Sequence, residues 1–348
     1  MDPSFSNLSE RIREAAAHKR ALRIRGGGSK DFYAYKLEGE PLDVSGYRGV
    51  VDYEPSELVM TARAGTPLSE VEDALAGGGQ ILACEPPYFG PNATLGGCVA
   101  TGFSGPRRAS SGSVRDFVLG TRVLNSAGED LRFGGQVMKN VAGFDLSRLM
   151  AGSFGTLAVI LEVSLKVLPR PEEEVTLRFK MEQAAAIETI NRWAAQPLPV
   201  SATCFTGGAL TVRLSGSSLG VTAARNRIGG EPVPQGMAFW RAVREQTLEP
   251  FRGPLWRLSV KSTTPPLTLP GKQVIEWNGS LRWLATDAPA QKVFDAARKA
   301  GGHATRFRGS SGMPVMHLDP ALLALHKRLK AALDPDGIFG PHRLHSDF

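Results

Sequence analysis

The residues with the most evident chemical potential form the run Arg25-Gly26-Gly27-Gly28-Ser29-Lys30. Three successive glycines let the backbone reach φ > 0 and approach a ligand with no Cβ in the way. Their N–H groups can converge on one anion, while Arg25 and Lys30 add charge and Ser29 a hydroxyl. A phosphate or diphosphate is the ligand that suits such a loop. A plain tight turn is the commoner fate of an isolated glycine triplet, so the run needs company to mean more. At this position neither the G-x-x-x-x-G-K-[ST] phosphate loop nor the G-x-G-x-x-G fingerprint is matched.

Company comes from Pro91 to Gly105, where Thr94, Gly96, Gly97, Thr101 and Ser104 offer a second set of exposed N–H groups and hydroxyls. Two such segments, each after an apolar or strand-like stretch, fit a dinucleotide whose diphosphate is gripped from two sides. A third segment, Lys139-Asn140-Val141-Ala142-Gly143-Phe144-Asp145-Leu146 with Gly152 to Leu157 after it, reads by itself as a helix between turns. The six histidines, His18, His303, His317, His326, His342 and His345, include no metal-binding or base pair ahead of the tail. No metal site is expected, and no catalytic base can be assigned. His317 and His342 are the nearest candidates, with surface or capping roles the better expectation.

The elements that must position these loops follow from periodicity. Leu22 to Arg25 reads as a short strand feeding the first loop, and Glu57 to Arg63 as another. Thr66 as N-cap and Pro67 at N1 open a helix with Leu68, Val71 and Leu75 as its apolar stripe, stopped at Gly77-Gly78-Gly79. Pro86 to Gly112 shows few signs of regular structure, and a loop that long is expected to be functional or mobile. Phe117 to Leu124 and Asp130 to Phe133 form a hairpin about Ser126-Ala127-Gly128, and Thr156 to Leu168 is strand. Pro169-Arg170-Pro171 and three glutamates look like a linker. Beyond it the pattern β-α-β-β-α-β, apparently repeated, predicts an antiparallel sheet with helices on one face. Asp319 to Leu333 is a helix, and Asp334 to Gly337 a turn.

Composition bounds the rest. The chain has 348 residues, 42% hydrophobic and 22% charged, as expected of a folded protein with two domains or one large one. No apolar stretch is long enough to span a membrane, and the amphipathic start, with Leu8, Ile12 and Ala15 on one side, is no secretory signal. Three scattered cysteines, Cys84, Cys98 and Cys204, argue against a disulfide framework or an iron–sulfur cluster held by this chain, and for a reducing cytoplasm. The net charge of +7 favours anionic partners. Its scatter gives no case for nucleic acid, and the five tryptophans, Trp193 to Trp283, sit at core spacing.

In this order the pieces resemble the FAD-binding domain of the vanillyl-alcohol oxidase / p-cresol methylhydroxylase type. The closer resemblance is to the E-subunit family of glycolate oxidases, carried by Ser104 to Arg108, Ser111 to Gly120, Arg132 to Gly135, Val137 to Gly143 and Asp334 to Phe339. It covers residues 20 to 170 well and is looser beyond. The resemblance implies an α+β fold: an FAD-binding domain of two α/β subdomains over 1–171, an antiparallel cap domain over 172–310, and a C-terminal helix and tail over 311–348 packing back on the first. It implies that Arg25 to Lys30 hold the FAD diphosphate, and that Thr94, Gly96 and Gly97 form the second loop. Thr101, Ser104, Gly112 and Ser113 would run along the flavin, with the backbone of Val159 and Ile160 at its ring edge. Ala158 stands where the family usually has glycine. Family members with a histidyl flavin carry His at the first loop; Ser29-Lys30 stands there, so non-covalent FAD is implied, with a Cys98 link the minor alternative.

The implied partners are a second FAD-binding subunit and an iron–sulfur subunit of the same complex, any membrane association being through them. The implied substrate is glycolate or another small 2-hydroxy acid. A stand-alone FAD-dependent dehydrogenase and a non-catalytic assembly subunit remain the alternatives. Arg107 and Arg108 could face an anionic substrate, the FAD phosphates or only solvent.

Overall fold

The computed structural model describes residues 3–136, 145–309 and 316–348. The expectation for Lys139 to Phe144 lies outside these residues. The chain divides into two compact units: Met1–Phe103, Ser113–Pro169 and Ser311–Phe348 form the first, Ser104–Gly112 and Arg170–Ser310 the second. The division is not a single cut at 171, because 104–112 groups with the second unit.

In chain order the elements begin with α1 (Pro3–Ala17), β1 (Leu22–Arg25), β2 (Glu40–Asp43), β3 (Val50–Glu54), β4 (Val59–Arg63), α2 (Leu68–Gly77), β5 (Gln80–Ile81) and α3 (Leu95–Thr101). They continue with α4 (Arg108–Ser111), α5 (Val114–Phe117), β6 (Val118–Leu124), β7 (Asp130–Gly134), α6 (Leu146–Leu149), β8 (Val159–Lys166) and β9 (Leu168–Pro169). In the first unit β1 and β2 pair in parallel, and five strands form a sheet in the order β3-β4-β8-β6-β7.

Two cores flank that sheet. Leu8, Ile12 and Ala15 of α1 pack with Leu22, Leu42, Val159, Leu161, Ile338 and Phe339. Leu68, Val71 and Leu75 of α2 pack with Leu95, Val99, Ile160, Val163 and Leu165. Strand β8 feeds both by alternation, Val159 and Leu161 to the first and Ile160 to the second; a register shift against β6 between Arg122 and Val123 then turns Val163 and Leu165 to the second as well.

Two local expectations need correction. Thr66 does not cap α2. Its Oγ1 accepts from the Gly49 amide at 2.9 Å, and Pro67 occupies the cap position with no side-chain bond. The stretch 86–112 is not without regular structure, for α3 and α4 lie in it. Two glycines and two β-branched residues make LGGCVAT a poor helix by propensity. Packing of Leu95, Cys98 and Val99 into the core, and the Thr94 cap, override that.

The second unit adds β10 (Glu173–Lys180), α7 (Gln183–Ala194), β11 (Val200–Thr206), β12 (Ala209–Gly216), α8 (Ser218–Ile228), β13 (Glu231–Pro232) and α9 (Gly236–Arg244). After these come β14 (Leu255–Ser259), β15 (Lys272–Glu276), β16 (Leu281–Ala285), α10 (Ala290–Lys299) and β17 (His303–Arg308). One eight-stranded sheet runs β13-β10-β12-β11-β15-β16-β14-β17, and its paired strands are antiparallel. Helices α7 and α8 bury Ile187, Ile190 and Val221 on Leu177, Leu210, Val212 and Leu214, and α10 buries Val293 and Ala297 on Trp256, Leu258 and Leu284. The first β-α-β-β-α-β half is complete. The second lacks its first helix, because 260–271 carries Pro265, Pro266 and Pro270, which remove amide donors and bar helix. The helix expected over 237–251 ends at Arg244, with Gln246 at φ 53° beyond it. Finally α11 (Pro320–Leu333), capped by Asp319, returns to the first unit.

Candidate functional site

Strand β1 aims the glycine triplet. It is held by β2 on one side and by the tail on the other, where the Leu22 amide donates to Ile338 O at 2.6 Å and the Gly340 amide to Leu22 O at 2.8 Å. The chain then turns: Gly28 sits at φ 69°, and the Asp31 and Tyr33 amides donate back to Gly28 O and Lys30 O. Lys30 is buried, its Nζ donating to Tyr88 O at 3.1 Å and Ser29 Oγ at 3.2 Å.

The glycines are there because a second backbone crosses them. A Cβ on Gly26 would lie 2.5 Å from Thr94 Oγ1, and one on Gly27 would lie 1.3 Å from Asn92 O. On the facing segment, a Cβ on Gly96 would press to 2.6 Å on the Ala64 Cβ. The two glycine segments therefore meet edge to edge. One expectation changes here, because the N–H groups at the start of α3 are not exposed. The Leu95 amide donates to Thr66 O, that of Gly96 to Ala64 O and that of Gly97 to Thr94 Oγ1. The second segment supplies close contact and a wall more than free donors.

Between the segments lies a cavity open to solvent. Of the residues singled out from sequence, Arg25, Gly26, Gly27, Gly28, Ser29, Lys30, Thr94, Gly96, Gly97, Thr101 and Ile160 line it. Ser104, Gly112, Ser113 and Val159 do not. Ser104 and Gly112 belong to the second unit. Ser113 starts α5, in a capping box with Asp116, and Val159 packs in the core with Leu161 on the other side of β8. Phe154, Gly155 and Ala158, which lie in stretches singled out from sequence without a cofactor role, also line it. The lining residues that sequence reasoning missed are Ile24, Val44, Ala64 and Ala100, joined by Asp31 and Arg343; nothing local points to Arg343.

Charge in the cavity is lopsided. Arg25, Lys30 and Arg343 face a single carboxylate, Asp31, which lies 3.6 Å from the Arg25 Nε and 3.4 Å from the Arg343 Nη2. The described lining residues therefore carry two positive charges in excess, the charge of a diphosphate with opposite sign. Among the described residues no histidine lines the cavity. His342 instead puts Nδ1 2.8 Å from Glu38 Oε2. Cys98 is buried, and burial pushes its thiol up to about 12, so it is no nucleophile at neutral pH. Among the described residues no group of His, Cys, Asp and Glu could hold a metal, and no helix is long and apolar enough to cross a membrane.

In the second unit Arg107 and Arg108 have structural partners. Arg107 is buried and pairs with Glu174, which also accepts from Ser215 Oγ at 2.5 Å and lies 3.8 Å from the Arg213 Nε. Burial alone would raise the Glu174 carboxyl; Arg107, Ser215 and Arg213 outweigh it and hold it below the usual range. Arg108 lies 4.4 Å over the Trp277 ring, whose Nε1 donates to Gly105 O.

A family model for an FAD binding domain matches residues 4–134. Glycolate oxidase subunit GlcE of Escherichia coli K12 is 49% identical over 342 residues, 98% of this chain and 97% of that protein. The chain belongs to the GlcE family of FAD-binding oxidoreductases. Glycolate oxidase subunit GlcD of Bacillus subtilis is 32% identical over 143 residues, which is 41% of this chain and 30% of that one. In fold the chain is similar to alkyldihydroxyacetonephosphate synthase, with a TM-score of 0.66 at 16% identity over 97% of this chain and 76% of that one. The α+β fold and the FAD cofactor expected from sequence both stand. The cavity of this GlcE-family chain fits FAD on its own geometry: a cradle that admits no Cβ, an excess of two positive charges beside it, and an apolar wall beyond.

Proposed function

We propose that the chain is the E-type FAD-binding subunit of a glycolate-oxidising complex, acting beside a second FAD-binding subunit and an iron–sulfur subunit. The observation that carries this reading is near-full-length likeness to a glycolate oxidase subunit together with a complete glycine cradle. In it, Arg25 to Lys30 hold the FAD diphosphate against the wall made by Thr94, Gly96 and Gly97. The side chains of Val44, Ala64, Ala158 and Ile160 shield one ring system from water, and no thiol or imidazole at the cavity links to the cofactor. When bound, FAD supplies the two-electron redox chemistry.

Oxidising a 2-hydroxy acid also needs a base for the hydroxyl proton and a cation for the carboxylate. In this reading the cavity's described cations are taken up by the diphosphate, and no histidine is among its described lining residues. Glycolate oxidation is therefore assigned to the complex. The test is anaerobic addition of glycolate to the flavin-loaded chain, alone and with its partner subunits, followed by the visible flavin band. The band should bleach only with the partners present. Bleaching of the isolated chain would make it a stand-alone dehydrogenase. A band on this chain's flavin that persists in the full complex would make it an assembly subunit.

A further inference from the structure

Arg343 lies beyond the last helix, 312 residues from its nearest charged partner, Asp31. Its side chain is only 8% exposed, and it lines the same cavity as Arg25 and Lys30. Its Nε is buried with no hydrogen-bond partner, and its one ion pair is long, 3.4 Å from Nη2 to Asp31 Oδ1. That carboxylate is shared with Arg25. A buried guanidinium left so poorly matched costs stability unless a ligand completes it.

The backbone holds the residue in place regardless. The Tyr35 amide donates to Arg343 O at 2.7 Å, the Lys36 amide to His342 O, and the Arg343 amide to Gly340 O. His342 and Gly340 both sit at positive φ, 57° and 48°. A tail bent and tied this firmly, carrying a buried cation whose Nε–H is unmet, is built to present that cation.

We propose that Arg343 is a ligand of the FAD diphosphate, so that the C-terminal tail, and not only the glycine loop, closes the cofactor site. The proposal rests on the FAD reading above. Arg343 supplies the second of the two excess positive charges; its planar fork suits phosphate oxygens, and bound diphosphate meets the orphaned Nε–H. Asp31, between the two arginines, is a positioning residue that holds both forks toward the cavity in the meantime. Burial already lowers the Arg343 pKa, as expected of a cation lacking its full complement of acceptors.

The test separates a ligand from a structural prop. The full-length chain, its Arg343→Met variant and its Arg343→Lys variant are stripped of flavin, and unfolding midpoints are measured with and without saturating FAD, together with the FAD affinity. Arg343→Met should leave the flavin-free midpoint unchanged or raised, because a poorly matched buried charge is gone while Asp31 keeps Arg25 beside it. Its FAD affinity should fall about tenfold to a hundredfold, and the midpoint rise on adding FAD should shrink to match. Arg343→Lys should fall between, and it carries the comparison if the methionine variant does not fold.

Wild-type affinity in the variants overturns the proposal and leaves the FAD reading standing. A flavin-free midpoint that drops in step with affinity also overturns it, by making Arg343 structural. A folded wild-type chain that binds no FAD overturns the FAD reading first, and this proposal with it.

Discussion

Gly27→Ala should leave the chain unable to retain FAD. The added Cβ would sit 1.3 Å from Asn92 O and 2.4 Å from its carbonyl carbon, where no side chain can yield. One of the two backbones must withdraw by roughly 2 Å to regain van der Waals contact. Either movement takes the loop's N–H groups off the phosphates. Each charge-assisted contact of that kind is worth about 1.5–3 kcal/mol, so losing even two lowers FAD affinity at least about a hundredfold. Gly46→Ala is the control, because its Cβ would meet nothing within 4 Å; it should stay within about 0.5 kcal/mol of the parent and keep its colour. Flavin content after purification and an FAD titration read both variants. Parental affinity in Gly27→Ala would contradict the crossing of the two segments.

Asp334→Ala should produce the largest loss of stability. The Asp334 side chain has no exposed surface and accepts from the Ile338 amide at 3.1 Å, the Phe339 amide at 2.8 Å and Lys330 Nζ. Lys330, itself buried, donates also to Thr156 O at 2.8 Å and Phe339 O at 2.6 Å. Burial lowers the Lys330 pKa, and Asp334 is what opposes the loss of its charge. Removing the carboxylate strands a buried cation and two amides, which costs about 3–5 kcal/mol. The unfolding midpoint of the flavin-free chain should drop by roughly 10 °C. Because Ile338 and Gly340 flank Leu22, the strand feeding the glycine loop loosens too, and FAD binding weakens. A drop of less than about 2 °C would show that the knot is not what ties the tail down.

These cases show what a linear sequence carries. The Gly26-Gly27-Gly28 run, the Leu68/Val71/Leu75 stripe and the hairpin about Ser126 are local patterns, each decided by residues a few positions apart. Thr66 was misleading because its hydroxyl had a better partner in Gly49, 17 residues earlier. The helix α3 was hidden because its two glycines argue against helix, while the facing Ala64 that requires a glycine at 96 is 32 residues away. The excursion of 104–112 into the second unit depends on Arg107 meeting Glu174 and Gly105 meeting Trp277, neither of which leaves a local pattern. Arg343 is the extreme instance: a tail arginine among many surface basic residues, distinguished only when the fold brings it to Asp31. Local chemistry revealed the cradle, and only the fold revealed what closes it.

The most direct measurement is the visible spectrum of the purified full-length chain, followed by acid precipitation and identification of what stays in solution. The account predicts a yellow protein with oxidised-flavin bands and a stoichiometric release of free FAD. A well-folded chain that is colourless, and remains so after incubation with FAD, would contradict it; flavin that stays with the precipitate would contradict the non-covalent cradle.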